Sequence, residues 1–364
     1  MLKESLIQLT KNKAQAHMQK LMTHLQQTGE TFAIWGAGAT GQRAMEYLQR
    51  NWGETLRPRY IVDNNSTLWN AGGVISPDTF FRLKDQPKNL LICVYVADQV
   101  ARQVKEAGYT GNVMIFSTLQ LFDTSERWQF YEEHMSELED VYDMVADDKS
   151  RVTVAGFLNS IRSGDVSYLE KINEDSSVKT LDPVILQYTD QEIFADIGAF
   201  TGDTISKFLE ITNGNYKRII GFELDRQNYE VLRQTTDGME NIYIKNVAVG
   251  AAPGKVRFLS GRSESSALSE QGDSEAEMIA LDDVEEMQGV TFIKISVSGL
   301  ELTVLEGAKK LLRKNVPKVA AYVSGKQLWE IPKYLKEMVP EYRLYIRHYG
   351  QGTQGMVCYA IRNQ

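Results

Sequence analysis

Residues 194–204 read Phe-Ala-Asp-Ile-Gly-Ala-Phe-Thr-Gly-Asp-Thr, and residues 219–223 read Ile-Ile-Gly-Phe-Glu. The first stretch is an apolar run that ends in an acid and a glycine-rich turn, which is typical of a strand, a tight loop and a helix start. Glycine in such a loop lets the backbone approach a ligand closely. Glu223 ends the second run, where its carboxylate can accept hydrogen bonds from a ribose diol. The two stretches therefore predict a nucleoside site at the carboxyl ends of a parallel sheet.

The same loop lacks the third glycine of a dinucleotide fingerprint. This difference favours S-adenosylmethionine, which has no phosphates to hold, over NAD. Asp203 and Thr204 are expected to open the helix as a capping pair. The residues expected to bind the cofactor are Asp196, Gly198, Ala199, Gly202, Asp203, Glu223, Leu224 and Val247. The alternative interpretation is a strand end and a helix cap without a ligand.

Length and charge restrict the class of protein. A chain of 364 residues predicts two domains, and its net charge of −8 argues against a nucleic-acid or anionic membrane surface as the main partner. Cys93 and Cys358 lie in separate apolar runs, which favours buried free thiols in a reducing compartment over a disulfide, the alternative. No apolar stretch approaches the length of a membrane helix, so we predict a soluble cytoplasmic protein without a membrane partner.

Strands that alternate with helices divide the chain into an α/β protein with two doubly wound domains. Residues 1–123 are predicted to form a Rossmann-like nucleotide-binding domain that begins with an amphipathic helix over residues 2–28. Residues 124–190 are expected to be a helical connector. Residues 191–364 are expected to have a class I methyltransferase fold that ends in an antiparallel hairpin. Within this domain, residues 261–277 are rich in Ser, Glu and Gly and predict a loop.

A second glycine-rich turn follows the first predicted strand. Gly36-x-Gly38-x-x-Gly41 precedes a predicted helix, and Asp63 ends the next strand, which is the context of a phosphate-binding turn. Thr40 lies in the same turn. A nucleotide or nucleotide-sugar would fit these residues, and a tight β-α turn without a ligand is the alternative. The four histidines have no metal-ligand spacing, so no metal site is expected.

The second domain resembles the FkbM-family methyltransferases over about residues 190–362. The segments that carry the resemblance are 194–204, 221–225, 246–250, 280–284, 292–308, 317–318 and 328–332. The resemblance implies methyl transfer from S-adenosylmethionine to a hydroxyl of a small acceptor, such as a sugar or natural product. The first domain resembles the small nucleotide-binding domain that precedes some of these enzymes and some bacterial sugar acyltransferases.

The chain departs from the family pattern near the expected methyl group. The family usually has Ile-Lys-Ile-Asp-Val-Glu-Gly in its fourth strand, and here Ser296 and Ser298 replace the two acids. Val323 and Gln327 stand where the family commonly has a histidine and an acid. A hydroxyl acceptor usually needs a base or a metal, and neither serine nor valine supplies one.

The candidate catalytic residues that remain are Lys294, Ser296 and Glu301. A lysine on a strand beside a carboxylate favours a structural ion pair over proton transfer. Three interpretations stay open: an O-methyltransferase, an S-adenosylmethionine-binding protein with weakened or lost catalysis, and a nucleotide-sugar-binding module.

Overall fold

A computed structural model describes residues 1–7, 13–53, 56–69, 72–94, 97–115, 124–165, 167–258, 272, 274–350 and 355–362. The helices are α1 Leu2–Ser5, α2 Lys13–Thr28, α3 Ala39–Trp52, α4 Pro77–Phe81, α5 Ala97–Glu106, α6 Thr124–Glu133, α7 Met135–Met144, α8 Asp148–Ser163, α9 Ser167–Glu170, α10 Pro183–Leu186, α11 Asp203–Ile211, α12 Arg226–Thr235, α13 Glu301–Glu306, α14 Lys309–Asn315 and α15 Gln327–Met338. The strands are β1 Phe32–Trp35, β2 Tyr60–Val62, β3 Val74–Ile75, β4 Asn89–Ile92, β5 Asn112–Ile115, β6 Asn173–Glu174, β7 Ile193–Ile197, β8 Arg218–Phe222, β9 Ile242–Lys245, β10 Ala248–Val249, β11 Gly254–Phe258, β12 Ser274–Ile279, β13 Phe292–Ile295, β14 Lys318–Tyr322, β15 Tyr342–Tyr349 and β16 Met356–Arg362.

The first sheet has the strand order β3-β2-β1-β4-β5, and all of its strands are parallel. Strand β1 is completely buried and pairs with β2 on one side and β4 on the other. The chain therefore reverses its direction of winding at β1, which places a topological switch point beside the turn at Gly36. This sheet confirms the predicted Rossmann-like fold.

The predicted single helix over residues 2–28 is wrong. Helix α1 ends at Ser5 because Leu6 is extended, and Leu2 is buried among the apolar residues of the second half of the chain. Helix α2 instead packs on the first sheet through Met18, Met22 and Leu25. The amphipathic pattern was correct for each segment, but the two apolar faces cover different cores.

The second sheet has the order β6-β15-β16-β14-β13-β7-β8-β9. Strands β14, β13, β7, β8 and β9 are parallel, and β16 pairs antiparallel with both β14 and β15. This arrangement confirms the predicted methyltransferase fold with a terminal antiparallel hairpin. Strand β6 adds an eighth strand that the sequence did not predict, since it is only two residues long.

A small third sheet has the order β10-β12-β11. Its strand β12 begins at Ser274 and pairs antiparallel with β11, so the prediction of a loop is wrong for residues 274–277. Residues 261–271 and 273 of that predicted loop lie outside the described residues. Alternating Glu, Ala and Met at 275–278 has the period of a half-exposed strand, which the polar composition obscured.

The connector packs closely on the second sheet. Asp147 caps α8 by accepting a hydrogen bond from the Ser150 amide at 2.9 Å, and it also contacts Arg347 of β15 at 2.5 Å. The Ser150 hydroxyl in turn accepts a bond from the Ile346 amide at 2.9 Å. Helix α8 is thereby fixed across the terminal hairpin. The division of the chain at residues 124 and 190 stays a prediction.

Two further expectations concern the cysteines and the membrane. Cys93 is buried beside the first sheet and Cys358 within the second, and both are free, which confirms the prediction of buried thiols. Within the described residues, no helix combines the length and the apolar character that a membrane span requires.

Candidate active site

The carboxyl ends of four neighbouring strands form the floor of a cleft. Strand β7 lies between β8 and β13, with Ile197 opposite Phe222 on one side and Ile295 on the other. The residues that follow these strands therefore emerge at one edge of the sheet, at its topological switch point. A cavity of about 850 Å³ lies there, and such a position is the common ligand site of open α/β sheets.

The turn after β7 has the backbone shape that the glycine pattern predicted. Gly198, Phe200 and Gly202 all have positive φ, at 79°, 50° and 87°. A Cβ atom at Gly198 would lie 2.1 Å from the Ser296 carbonyl oxygen, so only glycine fits between the two strand ends. The amides of Gly198 and Ala199 both donate to the Phe222 carbonyl, at 3.0 and 2.9 Å. The turn is thus held against the end of β8.

Glu223 is 7% exposed at the end of β8 and borders the cavity. Its Oε2 accepts a hydrogen bond from the Phe200 amide, and its Oε1 accepts one from the Asp225 amide, each at 2.8 Å. Burial raises the pKa of Glu223, and these backbone donors oppose the shift. The Asn228 side chain also donates to this carboxylate. Its two oxygens have about four acceptor sites, so acceptor capacity remains for a ligand donor.

Asp196 and Lys294 form a buried ion pair beneath the turn. Lys294 Nζ lies 2.7 Å from Asp196 Oδ1 and 2.7 Å from the Gly198 carbonyl oxygen. Burial raises the pKa of Asp196, and the ammonium of Lys294 opposes that shift. Lys294 therefore joins the ends of β7 and β13 to the turn, which is the contact set expected of a positioning residue.

The segment after β13 is held by Glu301, which is 2% exposed. Its carboxylate accepts hydrogen bonds from the Val297 and Gly299 amides, each at 3.0 Å. It also accepts one from the Gln327 side chain at 2.7 Å. Ser298 lies between these anchors at φ 51°, and both Ser296 and Ser298 line the cavity.

Most of the predicted site residues meet in this cleft. The cavity is lined by Gly198, Asp203, Glu223, Leu224 and Val247 from the cofactor set, and by all three catalytic candidates, Lys294, Ser296 and Glu301. Asp196, Ala199 and Gly202 are buried and do not line it. Their place in the structure is to shape the turn.

The predicted capping pair at the start of α11 is wrong. Gly202 occupies the N-cap position without a side-chain hydrogen bond, and Asp203 is the first helical residue. A glycine at the N-cap has no side-chain oxygen to offer, so the carboxylate of Asp203 acts through its charge on the first helical turn.

The sequence did not predict that the connector forms one wall of the cleft. Residues 176–181, which we call the strap, line the cavity together with the residues of the sheet edge. The Tyr359 hydroxyl of β16 donates to the Lys179 carbonyl oxygen, and Tyr349 bonds Tyr359 at 2.6 Å and Asp182 at 3.3 Å. The two buried tyrosines therefore fix the strap, and only the tertiary fold brings them to it.

The first-domain turn has tight packing at two of its glycines and open space at the third. A Cβ atom would lie 2.3 Å from the Cys93 carbonyl oxygen at Gly36, and 1.8 Å from the Gly36 carbonyl oxygen at Gly41. At Gly38 it would meet nothing within 4 Å. Asp63 accepts a bond from the Ala37 amide at 2.7 Å, and Thr40 lies in the first turn of α3.

The main cleft suits S-adenosylmethionine in three respects. The Gly198 turn brings its backbone to the edge of the cavity, and only glycine allows its close approach to the Ser296 carbonyl oxygen. Glu223 presents a carboxylate for a ribose diol. The apolar side chains of Ile197, Leu224 and Val247 line the cavity, and its described cations are three lysines without a phosphate-binding arginine fork. The residues present therefore fit a nucleoside without phosphates, whose sulfonium supplies the methyl group.

The sequence model of the methyltransferase FkbM domain matches residues 196–351. The C-terminal half of this chain is an FkbM-family methyltransferase domain. The family uses S-adenosylmethionine as its methyl donor. This agrees with the residues that line the cleft, which fit a nucleoside without phosphates. A search among curated proteins gave no significant match.

One solved structure extends the likeness to most of the chain at the level of the fold. A methyltransferase FkbM from Methylobacillus flagellatus KT is similar with 19% identity and a TM-score of 0.65, over 91% of this chain and 90% of that one. A precorrin-6y C5,15-methyltransferase from Geobacter metallireducens GS-15 has 12% identity and a TM-score of 0.35, over 53% of this chain and 92% of that one.

Proposed function

We propose that this protein is an S-adenosylmethionine-dependent O-methyltransferase that acts on a small hydroxylated acceptor, such as a sugar or another natural product. The observation that supports it most is the joint position of Gly198, Glu223 and Ser296 at the edge of one cavity. Gly198 and Glu223 suit the nucleoside of the methyl donor. Ser296 directly follows β13 and lines the same cavity.

In this proposal the chain's own residues bind and orient. Glu223 accepts the ribose hydroxyls on its remaining lone pairs, while the Gly198 turn contacts the donor through its backbone. Lys294 holds that turn through Asp196, and Glu301 holds the segment that carries Ser298. The Ser296 hydroxyl is left to hydrogen-bond the acceptor. Rate enhancement then comes mainly from placing donor and acceptor in reacting geometry.

The test begins with calorimetric titration of the purified protein with S-adenosylmethionine and S-adenosylhomocysteine. We expect both to bind at one site per chain. Transfer of a radiolabelled methyl group to a panel of sugars, phenols and other hydroxyl compounds then measures the activity. Binding without transfer to any acceptor would support the alternative of a protein that holds the donor but has lost catalysis. Absence of binding would contradict the proposal.

We propose a second site, for a nucleotide or nucleotide-sugar, at the first-domain turn. The observation that favours it is the open space at Gly38, which precedes the 14-residue helix α3 at a topological switch point. Helix α3 has no side-chain cap, so its first amides face outward and can bind a phosphate. Such a domain would hold or recognise the substrate of the methyltransferase half.

A further inference from the structure

The end of the cleft beside β13 and β14 is lined by neutral side chains. Ser296 and Ser298 follow β13, and Val323 and Ser324 follow β14. Gln327 completes this neutral wall from the start of α15. Hydroxyl, methyl and amide groups cannot take a proton from an alcohol at neutral pH.

Ionisable side chains do line the cavity, but several of them are already hydrogen-bonded or ion-paired within the protein. The described titratable residues of the cavity are Lys179, Asp203, Lys207, Glu223, Lys294, Glu301 and Tyr322. Glu301 already accepts three hydrogen bonds, and Lys294 is paired with Asp196. Both are almost completely buried. Using either of them as a base would break the contacts that hold the cleft walls.

The two remaining carboxylates are on the other side of the switch point. Asp203 follows β7 and Glu223 follows β8, whereas the neutral wall follows β13 and β14. Glu223 also accepts backbone hydrogen bonds on both oxygens. Tyr322 carries a phenol, a group that ordinarily keeps its proton at neutral pH and so cannot take one from an alcohol. The described lining thus provides no base suited to an alkyl hydroxyl.

We infer that the acceptor is an acidic hydroxyl compound, a phenol or an enol, which enters this neutral wall already ionised. The inference rests on the proposed O-methyl transfer and names its substrate class. The acceptor loses its proton to water. Its oxygen lone pair then forms the bond to the methyl carbon, the carbon–sulfur bond breaks, and its electron pair stays on sulfur as the neutral thioether. No proton passes to the protein.

The charges of the cleft favour an anionic acceptor. A neutral wall avoids the repulsion that a carboxylate would impose on an incoming phenolate. Lys179 lies in the strap at the edge of the cavity, and it has no ion-pair partner within the described part of the chain. The Tyr359 hydroxyl donates to the Lys179 carbonyl oxygen, so the backbone that carries this lysine at the edge of the cavity is held in place. Lys179 is the group that stabilises the acceptor anion.

The decisive kinetic measurement compares two phenols of different acidity as acceptors over a range of pH. If the acceptor ionises in water, kcat/KM rises with pH and levels off at the pKa of each phenol, so the two profiles break at different pH values. A break at one shared pH would report a base of the protein and would overturn the inference.

A binding measurement gives a readout that does not depend on turnover. The absorbance of 4-nitrophenol reports its ionisation while it is titrated into the protein saturated with S-adenosylhomocysteine. We expect the bound phenol to have a lower apparent pKa than in water, and Lys179→Gln to raise it again. Lys171→Gln is the matched control, because Lys171 lies on the same connector but does not line the cavity. An unchanged or raised pKa of bound 4-nitrophenol, or no binding of it, would contradict the inference.

The outcomes separate this inference from the proposed function. Methylation of simple glycosides as fast as of phenols would keep the O-methyltransferase and overturn the acidic acceptor. Methylation of no compound, with a lowered pKa of bound 4-nitrophenol, would contradict O-methyl transfer and keep the anion-binding cleft.

Discussion

The carboxylate of Glu301 and the side-chain amide of Gln327 are 2.7 Å apart, and both residues are almost completely buried beside the cleft. The contact joins the start of α13 to the start of α15. The amide donates a hydrogen bond to the carboxylate and carries no charge, so Glu301 can stay ionised beside it. Gln327 therefore determines that this corner of the cleft contains one carboxylate and not two.

The substitution Gln327→Glu should convert this contact into a pair of carboxyl groups. Two carboxylates this close cannot both ionise, so the pKa of one of them rises. A raised pKa in the folded state means that the folded protein retains a proton that the unfolded chain has released. The variant should therefore lose stability relative to the parent as pH rises between about 5 and 8, and regain it on acidification. The loss of stability should be about 1.4 kcal/mol for each unit by which the pKa of that carboxyl group is raised.

Thermal unfolding across this pH range measures the effect. Gln327→Met is the control, since it removes the hydrogen bond without adding a charge and should lower the melting temperature equally at every pH. Parallel pH curves for Gln327→Glu and the parent would show that the two side chains are not in contact.

The substitution Glu223→Ala should weaken the binding of S-adenosylhomocysteine by about 1–3 kcal/mol, the usual effect of losing hydrogen bonds to a charged group. Asp225→Ala is the matched control. It removes the cap that accepts hydrogen bonds from the Gln227 and Asn228 amides, which costs roughly 0.5–2 kcal/mol of stability. It leaves Glu223 in place. Calorimetry below both melting temperatures distinguishes the two, and an equal loss of affinity in both variants would contradict a ribose contact by Glu223.

The affinity for S-adenosylhomocysteine should also depend on pH through Glu223. Burial raises the pKa of this residue, and the ribose hydroxyls donate to its ionised form. Binding therefore lowers that pKa, and affinity falls as the pH decreases, with a midpoint above the ordinary glutamate value of about 4.3. Titrations in buffers of different ionisation enthalpy should detect proton release in this range. The substitution Glu223→Gln should abolish it; proton release that persists in this variant would assign the titration to another group.

Most strands of the two large sheets, and the turns at Gly36 and Gly198, could be predicted because each has a local pattern. Buried parallel strands are continuous apolar runs, and the turn at Gly198 needs glycine for a positive φ and for its approach to Ser296. The apolar strands and the glycine turn together predicted that the cofactor-binding residues lie at one edge of the sheet. The family resemblance, and not the spacing alone, drew attention to Ser296 and Ser298.

The rest depended on contacts between distant segments. The strap has no local pattern, since Tyr359 and Lys179 are 180 residues apart in sequence. A structural ion pair was favoured for Lys294 from the sequence, but its partner depended on the register that places it opposite Asp196. Strand β6 was missed because two residues carry no periodicity, and its strand conformation comes from pairing with β15.

In the first domain, Gly38 and Gly41 should behave oppositely. Gly38 has an extended backbone and open space, so Gly38→Val should fold, with a loss of stability of about 1 kcal/mol because valine is a poor N-cap residue. The added side chain should block a phosphate at the start of α3. Gly41→Ala should instead destabilise the domain, because its Cβ atom would lie 1.8 Å from a carbonyl oxygen.

A thermal-shift screen with nucleotides and nucleotide-sugars, with inorganic phosphate as the ion control, checks this prediction. A ligand that stabilises the parent but not Gly38→Val supports the second site, while S-adenosylhomocysteine should stabilise both. If nothing in the screen stabilises the parent, the turn serves packing alone.

Methyl transfer by the unmodified protein to an alkyl hydroxyl should be slow and independent of added divalent metal. The neutral wall at Ser296, Ser298 and Val323 does not supply the ~10²–10⁴-fold that proton transfer usually contributes. The triple variant Ser296→Asp, Ser298→Glu, Val323→His adds acids and a base there, and it should gain transfer toward a panel of sugars. Ser298 already has a positive φ, so glutamate adds little backbone strain beyond that of serine. Ser296→Asn with Ser298→Gln and Val323→Asn is the control for size without ionisation. Equal activity of the two triple variants would show that the gain comes from shape, and fast, chelator-sensitive transfer to sugars by the parent would refute the assignment of a base-free site.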